Sequence, residues 1–301
     1  MRNLALQTLA DQLAADGAVS AEEALEVRKA VFPDGVVSRE EAEMLVALAA
    51  RVANTDEAWT HAFVEAISDH VLQAGAYPGH VDEATTSWLV TRLGQDGPRE
   101  TEVAAVLKIL ERAESAPEYL STFARSRISA LLAGHPVGPA EVELVRRCMF
   151  ASAGSGRIAV TEAEARWLFA LDAESDGRDN DPSWRDVFVK GVLNYLMARQ
   201  APALLEAKDM MARQAWLEAP TSGVVGIFGG MFKGGWKDKV RSSDQVEGWE
   251  GHYAAANDAA EAYAKLTLAE AAWAVGMTRE DGKLTANEKA LLAEIREIEA
   301  Q

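Results

Sequence analysis

The sequence predicts an all-α, internally duplicated multi-helix bundle with a Gly-rich insertion in its second half. Three observations carry this. Apolar residues recur at helical spacing, as at Leu6, Leu9 and Leu13, at Leu45, Leu48 and Val52, and at Phe63, Ile67 and Val71. No stretch sustains the period-two alternation of a half-buried strand. Blocks of residues also repeat in order along the chain.

The repeat begins with Val19 to Phe32 against Val137 to Phe150, at an offset of 118 residues. Val37-Ser38 and Glu41 to Leu45 match Val160-Thr161 and Glu164 to Leu168 at offset 123. Trp59, Phe63, Val64, Ile67 and Leu72 match Trp184, Phe188, Val189, Val192 and Met197 at offset 125, and Trp88-Leu89 matches Trp216-Leu217 at offset 128. The offset only grows, as expected when residues are inserted between corresponding helices. The copies cover about 3–93 and 121–219. The chain then divides into a first helical repeat unit (1–120), a second (121–219), a Gly-rich basic and aromatic insertion (220–244) and C-terminal helices (245–301). In the last part Tyr253, Ala256, Ala260, Tyr263 and Leu266 fall at helical spacing. Pro182 and Pro202 stand where first turns belong, and Asp96-Gly97-Pro98 opens a helix through Val103, Val106, Leu107 and Leu110.

Composition narrows the function classes. The chain has 301 residues, 49% of them apolar, so two units each with its own core are expected. Its 47 acidic and 30 basic residues give a net charge of −17, a field that repels phosphate backbones and argues against nucleic acid as a partner. Cys148, the single cysteine, leaves no disulfide framework and no multi-cysteine zinc site, which fits a reducing cytoplasm. The longest nearly uncharged apolar stretch, Val224 to Phe232, is far short of the ~20 residues a spanning helix needs. No apolar core of signal-peptide length precedes Asp11 and Asp16.

Four junctions share one pattern. They run Asp16-Gly17-Ala18-Val19-Ser20 to Glu23, Asp34-Gly35-Val36-Val37-Ser38 to Glu41, Ile158-Ala159-Val160-Thr161 to Glu164, and Asp281-Gly282-Lys283-Leu284-Thr285 to Glu288. Each has an apolar residue, then Ser or Thr, then Glu three positions on. The favoured reading is a capping box, with the hydroxyl accepting from the N3 amide and Glu reaching back to the cap amide. Val19, Val37, Val160 and Leu284 then hold the staple position, and the Asp-Gly pairs supply turns with a positive φ at Gly. A cap of this kind contributes about 1 kcal/mol.

The competing reading is calcium. The pattern resembles the second half of an EF-hand loop, but Gln12 and Ala14, Ala30 and Phe32, or Met277 and Arg279 stand where the first and third ligands belong. The acidic loop Asp172, Glu174, Asp176 and Asp179 alternates acids better and is the metal candidate, for a weak divalent cation. It departs from the calcium pattern at Ser183, where the bidentate Glu belongs.

The same junction grammar resembles the helical domains of the tellurite-resistance TerB-like family, in which Asp-Gly turns precede Ser/Thr-x-x-Glu helix starts. The resemblance covers the four short junctions, of which the third lacks the Asp-Gly pair. It implies a noncatalytic helical protein associated with stress and metal response.

Other residues resolve more plainly. His61, Glu65 and Asp69 share one helix face and could join in holding a metal. Their matched positions are Asp186, Lys190 and Asn194, and the lysine favours a solvated face. Cys148 matches Ala30 and reads as a small core residue. The segment 221–241 holds six glycines and, with Lys233, Lys237, Lys239 and Arg241 less Asp238, is net +3 in an acidic chain. Phe228, Phe232 and Trp236 recur every fourth residue there. The segment reads either as a plain linker or as a binding element, whose candidate partner-binding residues are Phe228, Phe232, Lys233, Trp236 and Lys237, for a protein partner or for peripheral contact with an anionic membrane. Gly230 and Gly235 have phosphate-loop spacing, but Trp236 and Lys237 follow where Lys and Ser/Thr are required. No nucleophile elbow, His-Glu-x-x-His or dinucleotide fingerprint is present. The favoured function is a noncatalytic cytoplasmic protein acting through protein–protein contacts. The alternatives are a divalent-metal sensor and an enzyme whose site is not visible as a linear motif.

Overall fold

In the computed structural model, helix starts sit where local chemistry predicts them. The structure describes residues 2–32, 35–95, 97–151, 160–198, 268–278 and 283–299. Among these residues the elements are α1 (Arg2–Asp16), β1 (Ala18–Val19), α2 (Ala21–Val31), α3 (Arg39–Arg51), β2 (Asn54–Thr55), α4 (Glu57–Ala74), α5 (Glu83–Leu93), α6 (Glu100–Arg112), α7 (Glu118–Leu132), α8 (Pro139–Phe150), α9 (Glu162–Ser175), α10 (Pro182–Ala198), α11 (Leu268–Met277) and α12 (Ala286–Glu299). The fold is all-α; its two strands are two-residue pieces paired in parallel, Ala18 with Asn54 and Val19 with Thr55.

Each predicted box is formed. Glu23, Glu41, Glu164 and Glu288 accept from the backbone amides of Ser20, Ser38, Thr161 and Thr285 at 2.9, 2.9, 2.8 and 2.8 Å. The returning bonds, from each Glu amide to the cap hydroxyl, measure 3.4, 3.3, 3.3 and 3.0 Å. Both ends of the first turn are thereby satisfied. Gly138 occupies the place of a cap residue without a side chain and keeps half of the arrangement, its amide donating to Glu141 at 3.0 Å. Gly17 and Gly35 adopt φ values of 67° and 75°, the left-handed turn that the Asp-Gly pairs predict. Val19, Val37 and Val160 are buried at the staple position, whereas Leu284 is 37% exposed. At that fourth start the box itself holds the helix end.

The chain forms two units, whose boundaries pass through α8: residues Met1–Ala133 with Glu143–Arg157, and Gly134–Val142 with Ile158–Gln301. In the first unit α4 is central. Its face Trp59, Phe63, Ala66, Ile67 and Val71 is fully buried, and α2 and α6 pack on it. α1 lies on α2 and α3, and α7 packs on α5 and α6. α6 supplies the predicted Val103, Val106, Leu107 and Leu110, all buried.

In the second unit α10 is central, opening at Pro182 as predicted, with Trp184, Phe188, Val192, Leu193 and Leu196 buried against α9 and α12. Some positions paired by the sequence offsets have similar surroundings. Trp59 and Trp184 are both enclosed, as are Phe63 and Phe188. Asp56 N donates to Val19 O at 3.0 Å, and Asp181 N donates to Val137 O at 2.8 Å. Asp56 and Asp181 then cap α4 and α10, accepting from Ala58 N and Ser183 N. Cys148 is buried in the core, as expected of a small core residue. Among the described residues no helix is long and apolar enough to cross a membrane.

Candidate functional site

On the first unit, the surface where α2, α4 and α6 meet is hollowed into an open groove of about 570 Å³. Helical spacing positions its lining. His61, Val64, Glu65 and Ser68 lie on one face of α4, Lys108 and Arg112 are one turn apart on α6, and Arg28 comes from the last turns of α2. The lining thus carries three permanent cations against one carboxylate, Glu65, in a chain of net charge −17.

Two of these cations are partly engaged. Arg28 Nη2 meets Glu65 at 2.9 Å, and Arg112 Nη1 meets Asp69 at 2.7 Å and Ser68 Oγ at 3.5 Å. Both arginines are about half exposed, so each pair is worth at most about 1 kcal/mol. Lys108 is half-buried and has no protein acceptor among the described residues. It is one of the residues that line the groove.

The His61, Glu65 and Asp69 row seen in the sequence is therefore real as a row, and its acids face guanidinium groups. His61 lies within 3.5 Å of Glu57 and is mostly solvent-exposed. The matched face of the second unit differs: Lys190 and Asn194 are buried, and Asn194 Oδ1 accepts from Val160 N at 2.8 Å. Sequence reading missed Arg28, Lys108 and Arg112. They are 80 residues or more apart in two groups, and the only linear trace is the i, i+4 pair on α6.

The acidic loop of the second unit is arranged otherwise. Asp172, on α9, is buried and accepts three hydrogen bonds: from Trp184 Nε1 at 3.2 Å, Thr285 Oγ1 at 2.5 Å and Asn287 Nδ2 at 2.7 Å. Burial raises its pKa above the ordinary aspartate value, against the lowering effect of those donors. Asp176 pairs with Lys283 at 2.8 Å, which lowers its pKa. Glu174 and Asp179 are exposed. The four acids are not brought together around one point. Among the described residues no group of three or more His, Cys, Asp or Glu is arranged to hold a metal ion.

Two further polar clusters are architectural. Glu102, buried on α6, accepts from Arg99 at 2.8 Å and Arg127 at 3.4 Å, and burial raises its pKa. His70 is buried with Nδ1 2.8 Å from Val37 O, a contact that ties the start of α3 to α4; burial lowers its pKa.

Trp88 packs edge-on to His70 at 5.2 Å, with Arg39 4.4 Å above its ring. In the second unit the tryptophan set edge-on to Tyr195, the position matched to His70, is Trp273 on α11, at 4.7 Å, with Arg166 5.7 Å from its ring. The partner-binding candidates Phe228, Phe232, Lys233, Trp236 and Lys237 lie outside the described residues, as do Trp216 and the expected helix around Tyr253 to Leu266. No protein-family model, curated protein or solved structure matches the chain.

Proposed function

We propose that the chain is a noncatalytic cytoplasmic helical protein, built on two copies of one unit, that works through contacts with other proteins. The observation that carries this reading is the α2–α4–α6 groove: a concentration of cations, open to solvent, on a strongly acidic molecule. Such a reversal of sign selects a partner group of negative charge and sets its orientation, which is what rim charges of a recognition surface do. The capping boxes support the same reading from the other side. They engage the Glu of every recurring junction in holding helix ends, so those acids serve the scaffold. The basic aromatic segment 221–241 is the second contact element, and the TerB-like resemblance supports a role in stress or metal response.

Affinity purification with three baits tests the reading: the wild type, a deletion of 221–241, and a Lys108→Glu/Arg112→Glu double variant. A partner retained by the wild type and lost from one of the other two is expected. Identical partner sets on all three baits would remove both contact elements.

A further inference from the structure

Resting on the groove as a recognition surface, we propose that its ligand chemistry is a single phosphate monoester, held by Lys108 and Arg112 with Arg28 at the rim. Lys108 provides the first reason. A half-buried lysine in the groove lining, without a protein acceptor among the described residues and one helical turn from a guanidinium, is a prepared position for an anion.

The donors left over provide the second. Arg112 engages Asp69 and Ser68 through Nη1 alone, and Arg28 engages Glu65 through Nη2 alone. A guanidinium carries five N–H groups, so both residues retain donors without releasing their present partners.

The third reason separates phosphate from carboxylate. Glu65 and Asp69 are carboxylates already tethered beside the same cations, at an effective concentration a free ligand cannot match. An incoming carboxylate, even a dicarboxylate such as succinate, presents at each end one charge and two oxygens, which these residues already offer. A phosphate monoester brings nearly two negative charges and three acceptor oxygens, enough to engage Lys108 and Arg112 together. The volume, about 570 Å³, accommodates the ester with part of the group that bears it, and Val64 offers that group an apolar contact.

The fourth reason limits the ligand to one phosphate. A polyanion would feel the net −17 of the chain over its whole length, whereas a single group held in the groove is screened from most of it. The phosphate can belong to a small metabolite-like ester or to a phosphorylated side chain of a protein partner.

The test is calorimetric titration of the full chain at low ionic strength. Inorganic phosphate is the first probe, glycerol 3-phosphate and a phosphoserine tripeptide are the two source arms, and succinate is the carboxylate control. Saturable phosphate binding is expected, with succinate failing to compete. Lys108→Met keeps the stem and removes the charge, and it should weaken binding roughly tenfold; Arg112→Gln should do the same. Tighter binding of the tripeptide than of glycerol 3-phosphate assigns the protein source, and the reverse order assigns the small ester.

Far-UV circular dichroism and melting of both variants confirm that the fold is intact. No saturation with phosphate overturns the proposal, as does equal competition by succinate or unchanged affinity in the two folded variants. If phosphate fails to bind while bait capture still depends on Lys108 and Arg112, the phosphate assignment falls and the contact function stands. If phosphate binds and no partner depends on the bait, the phosphate assignment stands and the contact function falls.

Discussion

Replacing Asp172 with Ala should destabilise the second unit by about 2–3 kcal/mol, through what is left behind more than through what is removed. The carboxylate accepts the indole N–H of Trp184, a fully enclosed side chain, and it also receives Thr285 and Asn287 from the start of α12. An orphaned buried indole donor alone costs about 1–3 kcal/mol. Asn287 lies nearer the surface and recovers part of its loss with water, whereas Thr285 is buried. Relief from burying a carboxylate offsets a further part.

Asp172→Asn separates these contributions. The amide oxygen still accepts from Trp184 and Asn287, and Thr285 retains its backbone role in the box with Glu288, so the change should cost less than about 1 kcal/mol near neutrality. The two variants also differ in pH response. Because burial raises the carboxyl's pKa in the folded state, the native chain holds that proton better than the unfolded chain does. Wild-type stability relative to Asp172→Asn is therefore greatest in acid and declines as pH rises from 3.8 through the raised value.

Urea unfolding followed by Trp fluorescence across that range measures both effects, and hydrogen exchange on α12 reports whether its start has loosened. An Ala variant as stable as the Asn variant would refute the role of the orphaned donor. A gap between wild type and Asn variant that stays flat with pH would refute the buried titration.

Three shorter predictions follow from the same geometry. Ser38→Ala removes the acceptor for Glu41 N and should lower the stability of the first unit by about 1 kcal/mol in urea. Gly35→Ala meets no atom within 4 Å, so its whole effect is the left-handed φ of 75°, about 1 kcal/mol of destabilisation without repacking, readable as a lower midpoint at unchanged m-value. Millimolar calcium or zinc should leave the melting of the second unit where it was, because Asp172 and Asp176 are engaged by Thr285, Asn287, Trp184 and Lys283. A rise in melting temperature with metal would mean that those contacts yield to a cation.

The helix starts were legible because a capping box is a four-residue event: Ser38 and Glu41 specify their mutual bonds without help from the rest of the chain. The central helices were legible too, since the rows Trp59, Phe63, Ile67 and Trp184, Phe188, Val192 declare their buried faces by period alone. The groove was not. Arg28, Lys108 and Arg112 come from two helices that both pack on α4, and a composition that is acidic overall hides a local excess of cations. The acidic loop reads differently in three dimensions for a related reason. Alternating acids at Asp172, Glu174 and Asp176 look like ligands in one dimension. On a helix end they point apart, Asp172 inward to Trp184 and Glu174 to solvent.

Trp273 shows how far matching in one dimension can carry. Offset growth from 118 to 125 made Trp216, at 128, the natural counterpart of Trp88. A steady offset assumes that insertions are small, whereas a ring's partner is chosen by the helix that packs beside it. The structure sets Trp273 against Tyr195 and Arg166 in the second unit, much as Trp88 is set against His70 and Arg39 in the first. The burial on the two helices agrees at an offset of 185: Thr86 with Ala271, Leu89 with Ala274 and Leu93 with Thr278 are enclosed pairs. On this register α11 is the counterpart that a duplication expects for α5. The register has a direct check. Trp273→Ala should destabilise the second unit by about 2–3 kcal/mol, somewhat less than Trp88→Ala does the first, because Trp273 is half-buried where Trp88 is buried. A Trp273→Ala protein whose second unit melts like the wild type would leave α11 peripheral and return the match to Trp216.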